Sequence, residues 1–352
     1  MPNPRQPSSI DSRTRWERLP YHRQFALARE VVERRRSEWL KRYSGLQSVG
    51  FGIRHTKRKR LEDAALGILF VVTQKGKPGR GGPLPVEVRA RVRTRTGFIT
   101  VAIPTDVIEG GVVEFQAAFA SCDAAGTALV YGNACCPLAT TPGGSADFLL
   151  GCHHVFLASD GNPGLSPGPV AYVSYNGVRI GEIAASGGMN PGSPPTDYSN
   201  DAALTYIDDD SARSALASYW AQWSPTNIAR KSLTIPADGS HALYADGAFI
   251  TAKFIGSFLG EPIPVDGSQS ILIPEALVYD ADTREGTSGS AFIDQDTGVV
   301  LGMHIARMPS TSTPAPWVGV AEPLWQLTSA TGPFGRELYL GTIYAPASKH
   351  RK

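Results

Sequence analysis

Three separated segments of the chain carry the residue types that nucleophilic catalysis requires. Ser288 lies in the small-residue stretch GTSGS. His153 and His154 end the apolar run FLLGCHH, and Asp201 directly precedes the apolar run AALTY. A serine hydroxyl becomes an effective nucleophile when an imidazole accepts its proton and a carboxylate orients that imidazole. The segments therefore predict a Ser-His-Asp site, provided that the fold brings them together.

Each of these positions has an alternative in the sequence. Glycine and serine are common in tight turns, so GTSGS is also typical of a turn without any catalytic role. Ser290 is a second serine in the same stretch. Either histidine is a candidate base, because neighbouring side chains on a strand face opposite sides. The other acids close to Asp201 are Asp197, Asp208, Asp209 and Asp210, of which the last three are more typical of a solvated turn.

The elements that must position these residues are mainly β-strands. From about residue 112 onwards, short apolar or alternating runs follow one another without helical patterns between them, which predicts an antiparallel sandwich or barrel. Residues 21–43 instead repeat apolar side chains at helical spacing. The predicted apolar face of that helix comprises Phe25, Ala28, Val32, Trp39 and Tyr43. Residues 47–111 contain further strand patterns, which predict a small β module.

Charge is unevenly distributed along the chain, although the formal net charge is only +2. Residues 1–100 contain 23 Lys or Arg and 8 Asp or Glu, a net charge of +15, and the remainder has a net charge of −13. A basic segment of this kind can bind nucleic acid or an acidic partner. We do not favour either partner, because the sequence contains no known nucleic-acid-binding motif and the charge can equally serve solubility.

The composition argues against several classes of protein. Four cysteines are too few for a disulfide scaffold in 352 residues, and their spacing does not form two separated metal-ligand pairs, so we expect no metal site. The N-terminus lacks the apolar core of a secretory signal. No apolar run reaches the roughly 18 residues that a membrane span needs. We therefore expect a cytoplasmic protein without a membrane span.

The candidate segments resemble the motifs of the trypsin-like (chymotrypsin-fold) serine peptidases, in their divergent bacterial and viral-type branches. CHHVF resembles the family's histidine motif, and DAAL resembles the segment that carries its acid. GTSGSA resembles the nucleophile turn, and GVVLGMHIA resembles the strand that lines the specificity pocket. The resemblance covers about residues 112–330, with the four motifs in the family's order.

This resemblance implies a mainly β fold of two antiparallel β-barrels and no cofactor. It implies that His154 is the general base, Asp201 its orienting acid and Ser288 the nucleophile, acting on a protein or peptide substrate. The backbone N–H groups of Gly286 and Ser288 would form the oxyanion hole, where the loss of one donor typically costs about 10²–10³ in rate. The single glycine between Ser288 and Ser290 argues against Ser290 as the nucleophile.

The resemblance also suggests how the chain is divided. We expect residues 1–20 to be a disordered tail, 21–111 a basic helix with a small β module, 112–340 the peptidase domain and 341–352 a C-terminal tail.

Two residues compete for the substrate pocket. His304 occupies the place where glutamyl and picornaviral peptidases keep a histidine for Glu or Gln, unless it is simply a packed core histidine. Asp282 lies six residues before Ser288, where trypsin-type enzymes keep a carboxylate for Arg or Lys. If the His304 imidazole has its ordinary pKa near 6.5, it favours Glu increasingly as pH falls. Thr287 replaces the aspartate of the digestive enzymes, so we do not expect activation by a newly released N-terminus.

The sequence therefore predicts a serine endopeptidase that works through an acyl-enzyme intermediate. The first alternative is a catalytically inactive module of the same fold that binds a peptide in its cleft. The second alternative is an anion- or nucleic-acid-binding scaffold that acts through residues 1–100.

Overall fold

The computed structural model describes most of the chain. The described residues are 11–56, 59–60, 66–72, 81–94, 97–109, 119–122, 124–157, 170–187, 200–231, 235, 238–264, 270–283, 286–309 and 317–343. The chain divides into two compact units, Met1–Gly110 and Gly111–Lys352.

The described part of the first unit contains two helices and six strands. They are α1 (Ser12–Glu17), α2 (Tyr21–Arg42), β1 (Leu46–Gly52), β2 (His55–Thr56), β3 (Lys59–Arg60), β4 (Gly67–Val72), β5 (Glu87–Thr94) and β6 (Gly97–Glu109). Strand β4 lies between β1, to which it is antiparallel, and β6, to which it is parallel. Strand β5 pairs antiparallel with β6, and β2 pairs with β3.

Helix α2 confirms the helix that the sequence predicted for residues 21–43. All five residues of its predicted apolar face are buried. The Trp39 ring packs edge-on against Phe70 of β4, with ring centroids 5.4 Å apart. The Phe25 ring packs in the same way against Phe51 of β1, at 5.0 Å. The helix is therefore held on the sheet by one apolar face, as its residue spacing requires.

Residues 11–20 differ from the expected disordered tail, because α1 forms there. Asp11 caps this helix by accepting hydrogen bonds from backbone N–H groups of the first turn. Trp16 is fully buried and donates its Nε1–H to the Leu66 carbonyl at 2.9 Å. Burial of a large apolar side chain contributes roughly 1.5–3 kcal/mol, which offsets part of the entropy cost of ordering the segment. Residues 1–10 lie outside the described part of the chain.

The described part of the second unit contains sixteen strands and three short helices. The strands are β7 (Phe119–Cys122), β8 (Ala128–Gly132), β9 (Ala134–Ala139), β10 (Phe148–Gly151), β11 (Tyr172–Tyr175), β12 (Val178–Gly181), β13 (Ile183–Ser186), β14 (Ala203–Tyr206), β15 (Asn227–Ile228), β16 (His241–Ala245), β17 (Ala248–Pro264), β18 (Ser270–Ala281), β19 (Ala291–Asp294), β20 (Val299–Pro309), β21 (Trp317–Pro323) and β22 (Tyr339–Leu340). The helices are α3 (His153–Phe156), α4 (Asp210–Tyr219) and α5 (Leu324–Leu327).

The first half of this unit forms a closed antiparallel β-barrel. Two of its strands bend and continue from one sheet into another, β8 into β9 at Asn133 and β12 into β13 at Glu182. With each bent pair counted as one strand, the circular order is β7, β8/β9, β10, β14, β13/β12, β11 and back to β7. A ring of this kind satisfies the backbone groups of every strand on both sides.

The second half repeats this topology. Its six strands pair antiparallel in the circular order β16, β17, β18, β21, β20, β19 and back to β16. When the strands of each half are numbered in chain order, both rings read one, two, three, six, five, four. The barrel interior is filled by side chains such as the stacked rings of Tyr279 and Phe292, whose centroids lie 4.3 Å apart. The predicted mainly β fold with two antiparallel barrels is confirmed.

Helix α4, between the two barrels in the chain, was not predicted. Asp209 caps it by accepting two backbone hydrogen bonds, so part of the acidic run 208–210 begins a helix and is not simply a solvated turn. The buried residues Ala212, Leu216 and Tyr219 form its apolar face. The helix has only 10 residues, and burial of that face against the barrels stabilises it more than its own sequence does.

The folded chain extends past the expected C-terminal boundary at residue 340. The Gly341 N–H donates to the Pro137 carbonyl at 3.0 Å, and the Thr342 N–H donates to the Gly144 carbonyl at the same distance. These bonds extend the pairing of β22 with β9. The rest of the expected tail, from residue 344, lies outside the described residues. None of the helices in the described ranges combines the length and hydropathy that crossing a membrane requires.

Candidate active site

Strand register explains how His154 and Asp201 meet. Strands β10 and β14 are antiparallel neighbours, and Gly151 at the end of β10 pairs with Ala203 at the start of β14. His154 follows Gly151 by three residues, and Asp201 precedes Ala203 by two. Both residues therefore leave the first barrel at the same edge, although 47 positions separate them in the sequence.

Two hydrogen bonds join His154 to Asp201. The His154 backbone N–H donates to Asp201 Oδ1 at 3.0 Å, and its ring Nδ1 lies 2.6 Å from Asp201 Oδ2. Both side chains are buried, with 3% and 0% of their surface exposed. A carboxylate only accepts hydrogen bonds, so the ring proton is on Nδ1 and Nε2 is left as the proton acceptor. This geometry suits a general base oriented by an acid.

The two histidines lie on one turn of helix, α3, and not on the strand that the sequence predicted. Successive residues of a helix are rotated by about 100°, so the two rings still face different neighbours. His153 Nδ1 lies 2.7 Å from Ser186 Oγ, and burial lowers the pKa of His153. The ring that contacts Asp201 belongs to His154. The preference for His154 therefore holds, for a different reason from strand alternation.

Ser288 lies in a turn between β18 and β19 that requires glycine. The Ser290 N–H donates to the Thr287 carbonyl at 3.0 Å, which closes a four-residue turn with Ser288 and Gly289 at its centre. Gly289 has a φ of 90° and Gly286 a φ of 100°, values that residues with a Cβ rarely adopt. At Gly289 a Cβ would also lie 2.0 Å from a backbone oxygen of the first barrel. The glycines therefore allow the turn to approach that barrel closely.

Asn133, at the bend between β8 and β9, attaches this turn to the first barrel. Its backbone N–H donates to the Ser288 carbonyl at 2.6 Å, and its Nδ2 donates to the Gly286 carbonyl. Its Oδ1 accepts hydrogen bonds from the Tyr219 hydroxyl at 2.9 Å and from the Asp246 N–H at 3.0 Å. One fully buried residue thus holds the carbonyls of both Gly286 and Ser288. The sequence analysis missed Asn133, because its local signal is a Gly-Asn pair that indicates only a bend.

Strand β20 joins the serine turn to the histidine segment. The His304 carbonyl accepts a hydrogen bond from the Gly289 N–H at 2.7 Å and another from the Cys152 thiol at 3.4 Å. Ser288 Oγ donates to the Ile305 carbonyl at 3.3 Å. Gly289 directly follows the candidate nucleophile, and Cys152 directly precedes the two histidines. The structure therefore brings the serine turn and the histidine–aspartate pair together in one site.

Glu322, on β21, supports Asp201 from the second barrel. Its Oε1 accepts a hydrogen bond from the Asp201 backbone N–H at 2.6 Å. Burial raises the pKa of Glu322 well above its ordinary value, and the nearby Asp201 carboxylate raises it further. Both effects favour the protonated, neutral form of Glu322. This residue was also missed in the sequence analysis, because its partner is 121 positions away.

His304 is fully buried among aromatic rings of the second barrel. Its Nδ1 is hydrogen-bonded to the Tyr279 hydroxyl. Burial lowers the pKa of His304 to about 3, and the nearby His154 lowers it further. Burial also raises the pKa of Tyr279 well above its ordinary value, so both groups are neutral at pH 7. This corrects the expectation of a ring that titrates near pH 6.5. Among the described residues, His304 Nε2 has no hydrogen-bond partner.

Asp282 has a different environment from His304. It directly follows the last residue of β18, and its side chain is exposed. A carboxylate that selects Arg or Lys at the base of a pocket acts strongly when it is screened from water, because exposed ion pairs contribute little. The geometry therefore gives Asp282 less support than His304 as a pocket residue.

The same site contains a possible set of metal ligands. Donor atoms of Cys152, His154 and Asp201 lie within 4.8 Å of one another, which makes them a candidate set among the described residues. A zinc ion needs a deprotonated thiol and ligand distances of about 2.0–2.3 Å. Burial raises the pKa of the Cys152 thiol well above its ordinary value, and the histidine and carboxylate already bind each other. The site is therefore better suited to proton transfer than to metal binding.

Comparisons with known proteins were made by sequence and by structure. No family model and no curated protein matches the chain. One similar solved structure is the Rv3671c protease in an inactive form, with 16% identity and a TM-score of 0.28, covering 51% of this chain and 75% of that one. Another is an inactive serine-to-alanine mutant of Rv3671c from M. tuberculosis H37Rv, with 15% identity and a TM-score of 0.28, covering 51% and 73%. TM-scores this low support no functional conclusion.

Proposed function

We propose that this chain is a serine endopeptidase with Ser288 as nucleophile, His154 as general base and Asp201 as the carboxylate that orients the base. The observation that supports this most strongly is the pair of hydrogen bonds from His154 to the buried Asp201 carboxylate. Together they determine both the orientation and the tautomer of the ring, which a histidine needs in order to accept a proton at Nε2. The glycine-containing serine turn at the same site supplies the nucleophile.

In the proposed reaction, Ser288 Oγ attacks the carbonyl carbon of the scissile peptide bond while His154 Nε2 accepts the hydroxyl proton. Asp201 stabilises the resulting imidazolium, which then protonates the leaving amine and yields the acyl-enzyme. Water, deprotonated by the same ring, hydrolyses the ester and regenerates the serine. The backbone N–H groups of Gly286 and Ser288 stabilise the oxyanion in both steps.

The environment of His304 favours glutamine before the scissile bond. With the Tyr279 hydroxyl donating to Nδ1, the neutral ring carries its proton on Nε2 and can donate it to a side-chain carbonyl. A glutamate carboxylate would be buried there without a counter-charge, which is strongly unfavourable. We therefore expect Gln to be preferred to Glu, in contrast to the increasing preference for Glu that an ordinary histidine pKa would give.

Labelling with a tagged fluorophosphonate tests the nucleophile. Wild-type protein should be modified at Ser288, identified by mass spectrometry of its peptides, and Ser288→Ala should not be labelled. Ser290→Ala is a matched control, since it makes the same change in the same turn, and it should keep the label. Modification of Ser290, or unchanged labelling of Ser288→Ala, would contradict the assignment.

Peptide cleavage separates an enzyme from an inactive peptide-binding module. We expect wild-type protein to cleave a peptide library, His154→Ala to lose nearly all turnover, and His153→Ala to keep most of it. The three proposed catalytic residues act as a unit, so double replacements should add little to single ones. Peptide binding by wild type without cleavage or labelling would instead support the inactive module.

A further inference from the structure

The hairpin formed by β5 and β6 carries a row of arginines on one face. Arg89, Arg91 and Arg93 alternate along β5 with residues that face the other side, and all three are exposed. In the antiparallel register, Thr100 lies opposite Arg91 and Phe98 lies opposite Arg93. Directly paired residues share one face of a sheet. These five residues therefore form a single exposed surface, which we call the arginine ribbon.

The positive charges of the ribbon are available to a partner. Arg91 lies over the Phe98 ring, with its guanidinium carbon 4.9 Å from the ring centroid. Arg89 forms an ion pair with Glu87 at 3.4 Å, but its side chain is 74% exposed, and exposed pairs of this kind contribute little. Within the described residues, no acidic side chain pairs with Arg91 or Arg93. Phe98 is itself 62% exposed, so an aromatic surface lies beside the charges.

We propose that the arginine ribbon binds single-stranded nucleic acid. Residues two apart on a strand lie about 6.8 Å from each other, so the three guanidinium groups form a line of charge that can follow a phosphate backbone. The exposed Phe98 ring offers a surface on which an unpaired base stacks. The net charge of +15 on residues 1–100 adds attraction at longer range. This surface was not recognised in the sequence, because cross-strand register places Phe98 beside the arginines.

Two simpler explanations of the ribbon account for less of it. Charged residues on an edge strand protect a sheet against aggregation, and β5 is the last strand of its sheet. That function does not explain an exposed aromatic ring on the neighbouring strand β6. An acidic peptide would pair with the arginines but would gain little from Phe98, and a duplex keeps its bases stacked inside. The combination of a charged line and an aromatic surface favours a single strand.

Fluorescence anisotropy of the full chain with a labelled oligothymidylate tests this proposal. Each neutralised phosphate of a single strand contributes about 0.7 to the slope of log affinity against log salt concentration. Replacing Arg89, Arg91 and Arg93 together by Gln should therefore reduce the slope by about 2. Phe98→Ala should weaken binding roughly fivefold or more and leave the salt slope unchanged, because stacking releases no counterions.

The matched control removes three positive charges from the same unit but away from the ribbon. Arg23, Arg35 and Lys41 are exposed on α2, and their joint replacement by Gln should leave the salt slope close to that of wild type. An equal loss in both triple variants would overturn the proposal in favour of diffuse electrostatics. Unchanged affinity in Phe98→Ala, equal displacement by polyglutamate, or no binding at low salt would also overturn it. None of these residues belongs to the proposed catalytic site, so the outcome is independent of peptidase activity.

Discussion

Replacing Asn133 should release the serine turn from the first barrel. The Nδ2 of Asn133 donates to the Gly286 carbonyl, while its Oδ1 accepts hydrogen bonds from Tyr219 and Asp246. Asn133→Asp preserves the size of the side chain and its acceptor oxygen but removes the donor. Asn133→Ala removes every side-chain bond and leaves only the backbone bond to Ser288.

The size of the effect follows from the burial of these groups. A buried carbonyl that loses its hydrogen-bond donor costs about 1–3 kcal/mol. If that free energy holds the turn in its reactive form, kcat of Asn133→Asp should fall about 5- to 150-fold, since each 1.36 kcal/mol corresponds to about tenfold in rate. The upper end approaches the loss of one oxyanion donor, about 10²–10³. KM should change little, because Asn133 contacts the turn and not the proposed pocket residue His304.

The assay is kcat and KM on a peptide substrate, with the rate of fluorophosphonate labelling and thermal unfolding measured in parallel. Asn227→Asp is a matched control, because Asn227 is exposed and its Oδ1 accepts only the N–H of the next residue. Tyr219→Phe should give a smaller loss than Asn133→Asp. Wild-type kcat and labelling in folded Asn133→Ala would refute the reasoning. An unreactive wild type would instead refute the proposed peptidase function itself.

Three further results are expected from the buried titratable groups. Glu322→Gln, which retains a neutral acceptor for the Asp201 N–H, should keep wild-type kcat and thermal stability, whereas Glu322→Ala should lose about 1–3 kcal/mol; equal losses would show that a charged carboxylate is required. Matched peptides should show a constant preference for Gln over Glu between pH 6 and 8, because the pKa of His304 is about 3; rising Glu cleavage at lower pH would contradict this. The unfolded state binds a proton at His304 that the folded state excludes, so the free energy of unfolding should fall below pH 6.5, by about 2 kcal/mol at pH 5. Thermal unfolding of His304→Gln should lack that part of the pH dependence, and an unchanged slope would count against it.

The sequence predicted well where one local pattern decided the structure. Helix α2 has apolar residues on one face over 22 residues, so no alternative element could bury them. The strand-rich second unit followed from short alternating runs without helical spacing between them. Shorter elements depended on contacts that no local pattern contains. Helix α1 is ordered by the burial of Trp16 beneath Leu66, 50 positions away, and the histidines lie on a single helical turn that resembles the end of a strand in sequence.

The sequence by itself determined the chemistry that this protein can carry. The identity and chain order of His154, Asp201 and Ser288, and the glycines beside the serine, are local properties that residue types and spacing reveal. Only the tertiary structure decided how those groups are held and which protonation states they have. Asn133 and Glu322 act across the two barrels on partners more than 100 positions away, and the pKa of His304 depends on burial. Neither the pairing of distant strands nor the exclusion of water from a side chain exists until the barrels close.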